Sequence, residues 1–192
     1  MITDQLKRHL ETVLDQSRLE HSLRVMEYSV KLAQHHHADV EKAEIAGLLH
    51  DVAKQFNKHK SKQILMQVKN VDSVLLKQKK LWHAVVGAHY VYHEMGIKDA
   101  DIYDAIFYHT MGKPDMPILT KIVYVADMIE PGRDAEYNFT AHIREVAFDD
   151  LDAALLMTVN HTLSSVLRRG IMMHPSSVAM RNDLLMKEQK TE

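Results

Sequence analysis

Apolar residues recur at helical spacing along almost the whole chain, and this pattern constrains the fold more than any other feature. One stripe follows the i, i+4, i+7 spacing of a single helix face: Leu19, Leu23, Met26, Val30 and Ala33. Similar stripes begin at Leu81, Ile118 and Leu151. No stretch alternates apolar and polar residues for long enough to predict a strand. The sequence therefore predicts an all-α fold, a bundle of seven to ten helices.

The breaks between these stripes are short, and neither a repeat nor a shift in composition divides the chain. The breaks contain glycine or proline and fall at 95–96, 111–117, 130–134 and 168–177. A length of 192 residues suits one domain of ordinary size. We therefore predict a single domain over 1–192, with its core at about 18–182 and a frayed tail at 186–192.

Composition excludes several classes of protein and of metal site. Cysteine is absent, so disulfides and thiolate ligands are excluded, and a metal would need nitrogen and oxygen ligands. The net charge of −2 argues against a nucleic-acid partner. No apolar run approaches the ~20 residues of a membrane span, and the N-terminus lacks the apolar segment of a secretory signal. We expect a cytoplasmic protein without a membrane or nucleic-acid partner.

Four polar side chains stand at helix ends or next to apolar runs, where they need partners. They are His21, the adjacent pair His50 and Asp51, and Asp127, which directly follows the apolar run in "KIVYVADMIE". An ion bound by two imidazoles and two carboxylates would offset the desolvation of all four and leave positions open for water and substrate. The alternative is that each group has a partner of its own. Asp51 and Lys54, for example, are spaced for an i, i+3 ion pair.

The order of these residues, H-x28-H-D-x75-D, resembles that of the HD-domain metal-dependent phosphohydrolases. Arg18 lies three residues before the first histidine, and Lys54 three after the first aspartate. Together with "ADMIEPGR" and "GIMMHPSSVAMRN", the arrangement is similar to that of the bacterial YqeK family over residues 18–182. The resemblance implies an HD-domain helical bundle and a symmetrical bis(5′-nucleosyl)-tetraphosphatase, which splits diadenosine tetraphosphate into two ADP.

The same resemblance implies which side chains bind the metal and which act in catalysis. It implies an iron site, with manganese or zinc as alternatives, formed by His21, His50, Asp51 and Asp127. Two further histidines, His83 and His109, either complete a second metal site with Asp51 bridging or stay metal-free and donate hydrogen bonds to phosphates. The sequence leaves both arrangements open. The predicted catalytic residues are Asp51, His83 and His109.

Basic side chains near this motif suit the phosphates of a nucleotide. Arg133 follows Pro131-Gly132 on a loop, and its planar fork matches a phosphate in bidentate geometry. The alternative is a surface ion pair with Asp134 or Glu136, worth less than ~1 kcal/mol. The predicted substrate-binding residues, including a loop that the resemblance places over the nucleotide, are Arg18, His21, Lys54, His83, His109, Thr110, Asp127, Arg133, Gly170 and His174.

Phosphoanhydride hydrolysis needs a nucleophile, neutralised phosphoryl charge and a stabilised leaving phosphate. A metal supplies the first by lowering the pKa of bound water toward ~7. The expected partners are a dinucleoside polyphosphate and its nucleoside diphosphate product, and a homodimer is left open. Two alternatives remain: another HD-domain nucleotide phosphohydrolase or phosphodiesterase, and a nucleotide sensor without turnover. A complete set of metal ligands argues against the sensor.

Overall fold

The prediction of an all-α fold is confirmed. The computed structural model describes residues 2–69, 71–135 and 139–189, and these contain eleven α-helices and no strand. The helices are α1 (Ile2–Val13), α2 (Gln16–His35), α3 (Val40–Leu49), α4 (Lys58–Leu65), α5 (Ser73–Lys77), α6 (Trp82–His93), α7 (Ala100–Tyr108), α8 (Ile118–Ile129), α9 (Thr140–Asp149), α10 (Leu151–Arg168) and α11 (Pro175–Glu188). Short 3-10 turns cover Lys79–Leu81 and Pro131–Arg133.

The structure has more helices than the seven to ten predicted from the sequence. The difference arises at α4 and α5, which have eight and five residues and are too short to show a clear apolar stripe. At the other end of the chain, α11 continues to Glu188, into the segment 186–192 that was expected to fray. Residues 190–192 lie outside the described residues.

Every one of the eleven helices contributes side chains to one hydrophobic cluster. Aspartate side chains cap five of the helices by accepting hydrogen bonds from backbone N–H groups in the first turn. These capping residues are Asp15, Asp39, Asp72, Asp99 and Asp150. Their carboxylates therefore have a local structural role.

Within the described residues, no helix has the combination of length and apolar character that a membrane span needs.

Helix α3 approaches α2 closely at Gly47. A Cβ atom at this position would lie 2.6 Å from Ser29 Oγ and 3.0 Å from the Cα of Met26. The missing side chain thus lets the end of α3 reach α2. As a result, His50 Nε2 lies 3.3 Å from His21 Nε2.

This packing also corrects the stripe predicted for α2. The structure buries Ser22 and Ser29, whereas Leu23, Met26 and Val30 are only partly buried. The small side chain of Ser29 lies where α3 approaches α2 at Gly47. Apolar spacing therefore predicts the helix correctly, but the buried face of α2 is rotated from the predicted apolar stripe toward Ser22 and Ser29.

We expect Gly47→Ala to lower the free energy of unfolding by about 1–3 kcal/mol, because the added methyl group meets backbone that cannot rotate away. Gly87→Ala in α6 is the matched control, since its Cβ would lie 3.4 Å from Val52, an ordinary van der Waals distance. That variant gains helix propensity and should be neutral or stabilised. Urea unfolding measures both. Equal stability of the two variants would contradict the proposed role of Gly47.

Candidate metal centre and active site

The side chains predicted as metal ligands and catalytic residues converge at one place. They come from five helices: His21 from α2, His50 and Asp51 from the end of α3, His83 from α6, His109 from the end of α7, and Asp127 from α8. Five of the six are buried. Asp127 keeps 23% of its side chain exposed and faces a neighbouring cavity.

One half of the centre lies around His21. Its Nε2 atom is 3.1 Å from Asp127 Oδ1 and 3.3 Å from His50 Nε2. The Nε2 atom of His50 is 3.6 Å from Asp51 Oδ2 and 3.9 Å from Asp127 Oδ1. Two imidazole nitrogens and two carboxylate oxygens therefore face a common point.

The other half of the centre lies on the opposite oxygen of Asp51. Asp51 Oδ1 is 3.2 Å from His83 Nε2 and 3.7 Å from His109 Nε2, and these two nitrogens are 3.2 Å apart. Lys54 adds a positive charge here, with its Nζ atom 3.1 Å from His83 Nε2. Asp51 thus connects the two halves through its two oxygens.

Hydrogen bonds from Nδ1 to backbone carbonyls fix the orientation of two of the imidazoles. His50 Nδ1 lies 2.8 Å from the carbonyl of Gly47, and His109 Nδ1 lies 2.7 Å from the carbonyl of Ile106. A carbonyl can only accept, so Nδ1 carries the proton in each ring. The Nε2 atoms are left with lone pairs directed into the centre, the arrangement that metal-binding histidines adopt.

Electrostatics favour neutral imidazoles around an ionised carboxylate. Burial lowers the pKa of His50 to about 4 and that of His83 to about 3, so both rings are neutral near pH 7. Burial opposes ionisation of Asp51. Nearby positive charge, including the Lys54 ammonium, nevertheless holds the pKa of this carboxyl well below its usual range.

These groups fit a divalent metal ion. Asp51 Oδ1 is buried and makes no hydrogen bond within the described part of the chain. Two triads, which share His50, each bring three ligand atoms within 4.8 Å of one another: His21, His50 and Asp127, and His50, Asp51 and His109. Facing lone pairs repel unless a cation lies between them. Nitrogen and oxygen donors of this kind suit iron, manganese or zinc.

The structure adds one important residue that the sequence analysis did not single out. Glu130 is buried at the end of α8, with Oε1 3.0 Å from His21 Nδ1. It also accepts hydrogen bonds from Arg24 and from the backbone N–H of Gly132. Burial opposes its ionisation, but the bonds from His21 and Arg24 lower the pKa of Glu130 to about 2. Its carboxylate therefore holds His21 with Nε2 toward the centre.

We expect Glu130→Ala to lower the free energy of unfolding by about 2–4 kcal/mol, because the variant breaks several charge-assisted hydrogen bonds. Glu145→Ala is the control, since it removes the same charge from an exposed position on α9. Urea unfolding of both variants, with metal analysis by mass spectrometry, measures the effect. If Glu130→Ala matched Glu145→Ala in stability and metal content, Glu130 would have no positioning role.

A cavity of about 340 Å³ opens beside the centre. Six of the residues predicted to bind substrate line it: Lys54, His83, His109, Thr110, Asp127 and Arg133. The Thr110 hydroxyl is buried and, among the described residues, has no hydrogen-bond partner. A polar ligand in the cavity would satisfy this group.

The basic residues predicted to bind phosphate contact the carboxylates of the centre. Arg18 lies 2.9 Å from Asp51 Oδ2, and Arg133 lies 2.9 Å from Asp127 Oδ1. Asp134, an alternative partner for Arg133, bonds to Arg144 instead, and Glu136 lies outside the described residues. Arg133 also lines the 340 Å³ cavity, so its guanidinium is available to a ligand there.

One face of α10 supplies cavity residues that the sequence analysis missed. These are Thr158, His161, Thr162, Ser165 and, just beyond the helix end, Arg169. They recur at i, i+3, i+4, i+7 and i+11, so a polar stripe on an otherwise apolar helix was the available signal.

Gly170 and His174, which are predicted to bind substrate, are not among the residues that line this cavity. His174 caps α11 and has Nε2 2.7 Å from Asp72 Oδ2, and it does not line the cavity. Gly170 has a φ of 60°, which places it in the left-handed region at the turn that follows α10. Its neighbour Arg169 reaches the cavity, but Gly170 itself is not among the lining residues.

The fold and the centre define a class of protein. A family model described as the HD domain matches residues 18–132, a segment that contains the four predicted metal ligands. The chain therefore belongs to the HD domain family. Members of this family depend on metal, in agreement with the ligand clusters described above.

More particular relatives match nearly the whole chain. The chain is 38% identical over 172 residues to the symmetrical bis(5′-nucleosyl)-tetraphosphatase of Bacillus subtilis, covering 90% of this chain and 91% of the relative. It is 34% identical over 176 residues to the protein of the same name from Halalkalibacterium halodurans, covering 92% and 93%. A crystal structure described as a predicted HD superfamily hydrolase involved in NAD metabolism, from Clostridium acetobutylicum, matches with a TM-score of 0.90 at 36% identity, covering 96% of this chain and 97% of the other. The family resemblance seen in the sequence is confirmed.

Proposed function

We propose that this chain is a metal-dependent hydrolase that splits diadenosine tetraphosphate symmetrically into two ADP. The observation that carries the proposal is the convergence of two imidazoles and two carboxylates on one point beside a cationic cavity. The relatives from Bacillus subtilis and Halalkalibacterium halodurans carry the name of this activity. Neither a nucleotide sensor nor a purely structural centre needs a set of metal ligands that leaves coordination positions open for water and substrate.

The ion would be held by His21, His50, Asp51 and Asp127, and we propose iron, with manganese or zinc as substitutes. When bound, it supplies Lewis acidity to the attacked phosphoryl group and lowers the pKa of water. Lys54 Nζ lies 3.3 Å from Asp51 Oδ1, on the side of His83 and His109. Because an ammonium already supplies charge on that side, its position supports one ion rather than two.

The chain's own residues provide the remaining parts of phosphoanhydride hydrolysis. Arg18, Lys54 and Arg133 present cationic donors on three sides of the centre and neutralise phosphoryl charge. The unprotonated Nε2 of His109 and the ionised Asp51 are acceptors for the proton of an attacking water. Thr110 provides a hydroxyl for a phosphate or ribose oxygen.

A substrate panel tests the proposed class. The iron-loaded protein is incubated separately with diadenosine tetraphosphate, AMP, a deoxynucleoside triphosphate and cyclic AMP, and turnover is followed by chromatography. We expect diadenosine tetraphosphate to be hydrolysed with the highest kcat/KM and a chelator to stop the reaction. Preferred turnover of a mononucleotide would favour another HD-domain phosphohydrolase. Tight binding without turnover of any member would favour the sensor.

A further inference from the structure

A second cavity adjoins the metal centre and carries an unbalanced positive charge. It has a volume of about 490 Å³, and four lysines line it: Lys54, Lys58, Lys79 and Lys80. We call this cavity the lysine groove. No acidic residue is among its described lining residues. Of the four lysines, only Lys54 has a carboxylate within ion-pair distance in the part of the chain that the structure describes.

The lysine groove and the 340 Å³ cavity meet at the metal centre. Lys54, Lys80 and His83 line both of them. His83 Nε2 lies 3.2 Å from Asp51 Oδ1, so the two cavities meet at two of the predicted catalytic side chains. A ligand that passes through the centre would therefore have one end in each cavity.

The lysine groove also has an aromatic wall. Trp82 lines it, and a hydrogen bond of 2.9 Å from its Nε1 atom to the carbonyl of Leu75 fixes the indole. The ring is only partly buried. A fixed aromatic side chain beside cationic groups is the combination that binds a nucleobase together with its phosphates.

The chemistry of the proposed substrate requires two such places. A dinucleoside tetraphosphate consists of two equal nucleoside diphosphate halves that share a central bridging oxygen. Hydrolysis at the centre of the bridge breaks a bond between an inner phosphorus and the central oxygen, so one half of the substrate lies on each side of that oxygen. The 340 Å³ cavity, with Arg133 and Arg169, accounts for only one anionic half.

We propose that the lysine groove binds the second nucleoside diphosphate half of the substrate, with Lys58 and Lys79 as specificity-determining residues. The inference rests on the proposed function. The two cavities together explain symmetric cleavage, because the bridge lies across their junction with equal lengths of substrate on either side.

The test uses the double variant Lys58→Ala/Lys79→Ala, whose two positions are exposed and line only the lysine groove. Lys62→Ala/Lys77→Ala is the matched control. It makes the same charge change at exposed positions in α4 and α5, outside the lining of both cavities. We expect the groove variant to lose about 10- to 100-fold in kcat/KM for diadenosine tetraphosphate, mostly through KM, and the control to match the parent.

Binding of ADP provides a readout that does not depend on turnover. Calorimetric titration should give two ADP per chain for the parent and the control, and one for the groove variant. A groove variant that matched the control in kcat/KM and in ADP stoichiometry would overturn the assignment of the lysine groove. This outcome differs from a failure of the proposed function, in which the parent itself produces no ADP from diadenosine tetraphosphate.

Discussion

Replacing Asp51 with alanine is expected to remove the metal ion and to lower kcat/KM for diadenosine tetraphosphate by at least about 1000-fold, equivalent to roughly 4 kcal/mol of transition-state stabilisation. Asp51 is the residue that both halves of the centre share, with Oδ2 facing His50 and Oδ1 facing His83. No neighbouring side chain can replace both oxygens. We expect His50→Ala to have a similar effect.

Metal analysis by mass spectrometry and a thermal melt with added manganese measure the loss directly. The ion should raise the Tm of the parent but not that of Asp51→Ala, since a ligand stabilises only the state that binds it. Asp51→Asn serves as a second variant of nearly equal volume, and Asp149→Ala, at an exposed position, controls for the lost charge. Helical circular dichroism should stay close to that of the parent. Full metal content in Asp51→Ala would show that this residue is not a ligand.

Replacing Arg133 with alanine is expected to retain the metal but to lower kcat/KM by about 10- to 1000-fold, or roughly 1.4–4 kcal/mol. Arginine has no lone pair for a cation, so its contribution acts on the phosphates. In the structure its guanidinium bonds to Asp127 Oδ1 at 2.9 Å and lies at the wall of the cavity. That position allows it to reach a phosphate without leaving the centre.

Arg133→Lys should recover only part of the lost rate, because a point charge cannot reproduce a bidentate contact. Arg8→Ala, at an exposed position on α1, is the matched control for the change in charge. Steady-state kinetics and metal analysis are measured on all three variants. A kcat/KM for Arg133→Ala equal to that of Arg8→Ala would remove Arg133 from the site.

The helical class and the core of the candidate centre could be predicted from the sequence. Apolar spacing identified the long helices because each buries one face against the others. The order of His21, His50, Asp51 and Asp127, read through its resemblance to a family, indicated one cluster. The structure places both carboxylates within 3.9 Å of both imidazoles. Their roles as ligands remain predictions for the variants above.

Other parts of the site depend on contacts between distant segments, which local patterns do not report. In the sequence, nothing distinguishes Glu130 from other acidic residues near helix ends. Its significance arises only because α8 packs beside α2 and brings it within 3.0 Å of His21, 109 residues away. His174 is predicted to bind substrate, and the structure also pairs it with Asp72, a contact that local sequence does not indicate.

The lysines of the groove show the same limit. Lys58 begins α4, whereas Lys79 and Lys80 lie in the 3-10 turn before α6. Neither segment carries a motif, and the sequence gives each lysine the appearance of a solvated surface charge. The fold brings them to one cavity next to His83. Only their placement beside the metal centre suggests a ligand.

The products of diadenosine tetraphosphate hydrolysis test the central claim most directly. The iron-loaded parent is incubated with the dinucleotide, and the nucleotides are separated by chromatography at several times during the first turnovers. The arrangement of two cavities about one centre predicts two molecules of ADP for each substrate consumed, with neither AMP nor ATP formed at any time. Formation of AMP and ATP in equal amounts would contradict it, because the attacked phosphorus would then lie one position away from the junction.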